Sequence, residues 1–184
     1  MPKISDIENT PNPNARKFIL EDPLSWGISH SYATATEAQN DPLAREIFAI
    51  PHVSNVFYLN HWLTVTQDGG AEWNDLLRKL AIPLRAAPAA EEQSAQLVAA
   101  ASIIPTNPED QERLIAIKKV LDEQIRPFLQ SDGGDLEVIS LIDNVLQVHY
   151  HGACGSCPSS LAGTLQAIMN LVATVDQDIL VEAV

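Results

Sequence analysis

Cysteine is nearly missing from this chain of 184 residues, which has two, too few for a disulfide framework. Cationic charge is scarce as well. Eleven lysines and arginines stand against 24 aspartates and glutamates, for a formal net charge of −13. No basic stripe exists to displace counterions from phosphate, so nucleic-acid binding is not expected. No run of about 18 apolar residues occurs, so no membrane span is expected either. The opening "MPKISDIENTPNP" has neither an apolar core nor an Arg-rich amphipathic pattern, so it does not read as a targeting segment. There is no serine–histidine–aspartate pattern and no Gly-rich phosphate loop, so no catalytic residue is expected. These absences fit a soluble protein of a reducing compartment, expected to be the bacterial cytoplasm.

What is present is enough for a packed core, since 46% of the residues are hydrophobic. The composition breaks once, at "LRAAPAAEEQSAQLVAAASIIPTNPED", rich in Ala and Pro and without an aromatic residue. The expected organisation is α+β: two small mixed domains, residues 1–85 and 108–184, joined by an Ala/Pro-rich linker at 86–107. Residues 91–104 of that linker have the composition of a short Ala-rich helix but no clear apolar stripe, so on its own such a helix is marginal.

In the first domain "RKFIL" reads as a strand. "DPLAREIFAI" reads as a helix capped by Asp41 with Pro42 at its first position and Leu43, Ile47 and Phe48 inside. "VSNVFYL" and "WLTVTQ" alternate as a hairpin about Asn60-His61, and "AEWNDLLRKLAI" is a helix ended by Pro83. The second domain opens with a helix from Pro108 whose inner face carries Leu114, Ile117, Leu121, Ile125 and Phe128, with Pro127 kinking its last turn. "SDGGD" breaks the chain, Gly133 and Gly134 supplying unusual backbone angles, and Asp132 and Asp135 read as turn closers. "LEVISLI" and "VLQVHYH" make a hairpin about Asp143-Asn144. A last helix starts at Pro158 with Leu161, Leu165, Ile168, Met169 and Val172 inside, and "ILVEAV" reads as a final edge strand. The order is α-β-β-α(-β), with the cysteine loop between hairpin and last helix.

That loop, "GACGSCPSS", holds both cysteines, Cys154 and Cys157, at C-x-x-C spacing. Pro158 suits a first helical turn, which puts Cys157 at the cap and Cys154 in the loop, near the positive end of the helix dipole. Thiolates are favoured there, and thiolate is the form that binds metal. Gly152 and Gly155 let the backbone wrap tightly. Three uses compete on the residues alone. An iron–sulfur cluster takes four thiolates, so a second copy of the chain has to supply two. Zinc could use Cys154 and Cys157 with His149 and His151, which share one face of a strand. A dithiol–disulfide pair is the third, although thioredoxin-like motifs lie in a β-α-β frame and here a hairpin precedes the loop.

"IRPFLQSDGGDLEV" followed by "GACGSCPSSLAGTL" resembles the C-terminal domain of NifU and the Nfu proteins. "TPNPNARKFIL", "DPLAREIFAI" and "NHWLTVTQ" resemble the N-terminal domain of two-domain Nfu proteins. The resemblance implies an iron–sulfur cluster scaffold and carrier. It implies a 4Fe–4S cluster bound between the two subunits of a homodimer through Cys154 and Cys157 of each, received from a cluster donor and handed to apo-proteins. The N-terminal domain has no ligand role in that family and is expected to tune partner choice. Gln166 stands where the family commonly has a lysine, and the tail lacks the usual proline-containing stretch before the last strand.

Overall fold

The computed structural model describes residues 3–90, 108–155 and 158–184, of which side chains are described except at 108, 109 and 158–162. The Ala/Pro-rich linker from residue 91 to 107 and Cys157 lie outside the described residues. The chain divides into two compact units, Met1–Val98 and Ala99–Val184.

The first unit is built on a five-stranded antiparallel sheet of order β1-β2-β5-β4-β3. Its strands are β1 (Ile4–Asn9), β2 (Ala15–Leu20), β3 (His30–Tyr32), β4 (Val53–Leu59) and β5 (Trp62–Gln67). Period-two alternation puts Phe18, Val56, Tyr58, Leu63 and Val65 on the face that meets two helices. Helix α1 (Pro42–Phe48) starts where expected: the Asp41 carboxylate accepts the Ala44 amide at 3.0 Å, and Ala44 and Ile47 are buried. Helix α2 (Trp73–Ala86) does not stop at Pro83 but runs through it. A proline in the last turn removes one backbone donor, and burial of Leu76, Leu80, Pro83 and Leu84 along one stripe outweighs that loss. Beyond α2 the chain stays on this unit as far as Ala90, whose N–H donates to the Pro23 carbonyl and whose carbonyl accepts the Trp26 indole N–H. Strands β1 and β3 were not expected. The first is almost wholly exposed and the second only three residues long, so neither shows an apolar alternation.

The second unit has the expected α-β-β-α-β order. Its elements are α3 (Pro108–Gln124), α4 (Arg126–Ser131), β6 (Gly134–Ile142), β7 (Val145–Gly152), α5 (Pro158–Val175) and β8 (Leu180–Ala183). Asp143 and Asn144 both have positive φ, +50° and +62°, which makes the tight β6–β7 turn. Strand β8 forms as the edge of the sheet β6-β7-β8 and runs parallel to β7. Pro127 does more than kink the first helix. The helix breaks at Ile125 and α4 restarts with a new phase, so Leu129 turns inward and Phe128 outward, the latter 71% exposed. Met169 is likewise on the outer side, while Ile168 and Val172, four apart, are buried. Arg113 ties the unit together: it pairs with Asp176 at 2.5 Å and Asp110 at 3.0 Å and donates to the Asn144 side chain at 2.9 Å.

Candidate metal centre

The cysteine loop is shaped by glycines on two segments that meet. Strand β7 ends at Gly152, which has φ +67° and pairs across the ladder with Gly134 at the start of β6. The Ala153 amide then donates to the Gly133 carbonyl at 3.1 Å, fastening the loop to the "SDGGD" turn. Gly133 has the positive φ expected of it, +80°, whereas Gly134 does not. Gly134 is needed for space instead. A β-carbon there would lie 2.5 Å from Cys154 Sγ and 2.7 Å from the His151 carbonyl oxygen. Gly155 is similar, since a β-carbon on it would stand 2.9 Å from the Tyr150 carbonyl oxygen.

Cys154 itself is buried, 5% exposed, and packs in the core with Leu129, Leu136, Tyr150 and Ile168. Tyr150 is also buried, and among the described residues its hydroxyl has no hydrogen-bond partner. Burial, and then the charge of the nearby Cys154, push its pKa up to about 12. A thiol sulfur in a glycine cradle with an O–H close by that has no partner among the described residues suits a soft metal or metal–sulfide cargo, whose sulfurs accept weak hydrogen bonds. The helix α5 begins at Pro158, immediately after the loop, as the sequence implied.

Of the zinc alternative, Cys154, His149 and His151 are described, and these three are not arranged as a metal site. The two rings are neighbours, with centroids 4.7 Å apart. They lie on the face of β7 opposite Leu146, Val148 and Tyr150, which pack with Cys154. His149 Nδ1 meets the Val184 carbonyl at 2.5 Å, and His151 Nε2 meets Glu137 at 3.1 Å. Among the described residues no group of three or more His, Cys, Asp or Glu side chains is arranged to hold a metal ion. The frame argument against a redox pair also changes, because β7, α5 and β8 do form a β-α-β crossover. The burial of Cys154 counts against that reading instead, since an attacking thiol needs access.

Sequence reasoning missed the steric role of Gly134 and the presence of Tyr150 beside the thiol. The "GG" pair signalled a turn, and nothing in a string tells a glycine needed for φ from one needed for clearance. Asp135, read as a turn closer, is buried and pairs with Arg126 Nε at 3.1 Å; Arg126 also donates to the Leu136 carbonyl at 2.8 Å. That contact anchors β6 next to Gly134. Among the described residues no helix is long and apolar enough to cross a membrane.

Two family models match the chain. Scaffold protein Nfu/NifU N terminal matches residues 4–87 and the NifU-like domain matches residues 117–182. The human protein named NFU1 iron-sulfur cluster scaffold homolog, mitochondrial, is 32% identical over 171 residues, covering 90% of this chain and 65% of its own. The Drosophila erecta protein of the same name is 30% identical over 169 residues, covering 90% of this chain and 59% of its own. The chain thus spans 59–65% of the length of these curated relatives. A crystal structure of protein SAV1430 from Staphylococcus aureus aligns with 44% of this chain and 96% of its own at 25% identity, with a TM-score of 0.39. Two domain matches in that order, together with the alignment across nine-tenths of its length, place the chain in the Nfu-type iron–sulfur cluster scaffold family, with an N-terminal Nfu domain and a C-terminal NifU-like domain.

Proposed function

We propose that the chain carries a 4Fe–4S cluster as cargo, held between two copies through Cys154 and Cys157 of each, and passes it to apo-proteins. The observation that carries the reading is the seat of Cys154, a thiol lodged against Gly134 in a chain whose only other thiol is three residues away. Two thiolates per chain and four per cluster require the second copy, so the loaded form is a homodimer. The working division is a first domain at 1–85, a linker at 86–107 and a cluster-binding domain at 108–184. A donor protein supplies the cargo. The thiolates of a recipient displace Cys154 and Cys157 one after another, and no covalent bond of an organic substrate is broken, so the chain is no enzyme. Its thiols must stay reduced to hold iron, which suits a reducing compartment such as the bacterial cytoplasm.

Oxygen-free reconstitution followed by iron, sulfide and solution-mass measurement tests this. The expected result is about four irons and four sulfides per dimer. A monomer that takes up no iron and reduces disulfides would overturn it in favour of a thiol–disulfide oxidoreductase.

A further inference from the structure

The first unit contains a second concentration of chemistry, well away from any thiol in sequence. A cavity of about 320 Å³ opens there, with His30, Tyr32, Asn40, Asp41 and Tyr58 supplying its polar groups. Leu24, Leu43 and Pro88 supply its apolar walls. The polar groups are locked into one pattern. Tyr32 donates its hydroxyl hydrogen to Asp41 Oδ2 at 2.8 Å, and Tyr58 donates to the same oxygen. The other oxygen, Oδ1, accepts the Ala44 amide at 3.0 Å. His30 stacks on Tyr58, with centroids 4.5 Å apart and planes 11° from parallel. Its Nδ1 lies 3.4 Å from the Tyr32 oxygen. Because the Tyr32 hydrogen already goes to Asp41, the imidazole has to donate at Nδ1, which leaves Nε2 as an acceptor.

The two tyrosine hydrogens thus go to Asp41 and the His30 Nδ1–H to Tyr32, so what these three side chains leave for a ligand is acceptor capacity. The tyrosine oxygens keep lone pairs, His30 keeps Nε2, Asn40 adds a carbonyl oxygen beside its NH2 donors, and a carboxylate with an 11%-exposed side chain sets the local field. Burial works against an ionised Asp41, yet the hydrogen bonds from Tyr58, the Ala44 amide and Tyr32, with His30 nearby, outweigh it and hold the carboxyl below its usual range. Burial also lowers the His30 pKa against the pull of Asp41, so the imidazole does not neutralise that charge from within. The site is negative, rich in acceptors and walled by two stacked rings. A guanidinium fits each of these properties, with donors on every edge and a flat face for stacking.

The fold supplies a way to deliver one. His30 and Tyr32 belong to β3, the edge strand of the five-stranded sheet, which pairs with β4 alone among the described residues. An extended segment pairing on that edge would carry its alternate side chains over the face that holds the cavity. The charge of −13 on the chain favours a basic segment. We infer that this cavity is a docking site for an arginine side chain on an extended basic segment of a partner protein, received on the open edge of β3 and held by Asp41, Tyr32, Tyr58 and His30.

The test uses the full chain, labelled with nitrogen-15, and three probes: capped Val-Arg-Val, the same tripeptide with citrulline for arginine, and agmatine. The arginine tripeptide is expected to produce saturable shifts at the amides of residues 30–32, 44 and 58, and the citrulline tripeptide to bind at least ten-fold more weakly. Asp41→Asn keeps a helix-capping side chain and removes the charge, and it should erase that preference. Tyr58→Phe, a second variant without a change of charge, should weaken the arginine peptide several-fold. Equal binding of the citrulline peptide, or unchanged arginine binding in Asp41→Asn, would overturn the assignment. Agmatine binding as tightly as the tripeptide would overturn the role of the strand edge. Cluster loading at Cys154 is measured on the same samples and should be the same in both variants, so failure here is separate from failure of the cluster reading.

Discussion

Gly134 and Cys154 are placed so closely that a single added carbon cannot fit between them: a β-carbon on Gly134 would lie 2.5 Å from the thiol sulfur. The nearest other obstacle, the His151 carbonyl oxygen at 2.7 Å, is backbone and fixed in the β6–β7 ladder. Gly134→Ala must therefore move the thiol or part the strands. Overpacking of this kind costs about 1–3 kcal/mol. Urea unfolding of the apo-protein should show that loss, and anaerobic iron loading should fall further than the unfolded fraction explains. Normal loading in the variant would show that the cradle does not position the thiol.

Removing the ligand itself should have the opposite balance. Cys154 is one of many apolar contacts in its core, so Cys154→Ala should cost the apo-protein only about 1 kcal/mol, on the scale of one buried heavy atom. Iron binding should be lost nearly completely. Near-native circular dichroism and urea midpoint, with no iron after reconstitution, is the expected pair of results. An unfolded apo-protein would mean that metal builds this domain.

Why some of this was visible in the string and some was not follows from range. Asp41-Pro42 announces α1 because a cap acts over three residues, and Asp143-Asn144 announces the β6–β7 turn because both residues tolerate positive φ. Pro158 announces the start of α5 for the same reason. The break at Ile125 is harder to read, since Pro127 signals a disturbance without saying that the helix restarts in a new phase, and the spacing puts Phe128 inside where the structure turns it outward. Gly134 against Cys154, and Tyr58 against Asp41, join residues 20 and 17 apart through strand pairing and helix packing. No local pattern encodes such contacts.

Tyr150 offers a test with a sign that depends on cargo. Its buried hydroxyl has no partner among the described residues, and an unsatisfied buried polar group costs about 1–3 kcal/mol. Tyr150→Phe should therefore raise the stability of the apo-protein, read as a higher urea midpoint. If the hydroxyl donates to a sulfur once cargo is bound, the same change should speed removal of iron by a chelator several-fold. A lower apo midpoint would mean that the hydroxyl is satisfied after all.

The first unit should lose stability on mild acidification, and His30 gives the direction. Burial lowers its pKa from the ordinary 6.5, with Asp41 pulling the other way, while Tyr32 and Tyr58 face the ring without charge. A group whose folded pKa is depressed contributes stability that is complete above its unfolded pKa and is lost as pH falls through the folded one. The His30 contribution should therefore be complete at pH 7.5 and shrink as pH drops below about 6.5. Asp41, also depressed, follows the same sign in a lower window, retaining its contribution above about pH 4 and losing it below. Thermal melts of the full chain between pH 7.5 and 5 should show a falling midpoint for the transition of the first unit. His30→Gln, which cannot take up a proton, should flatten that slope. An unchanged slope would mean that the imidazole titrates alike in the folded and unfolded chain and that the stacked pair with Tyr58 does not shield it.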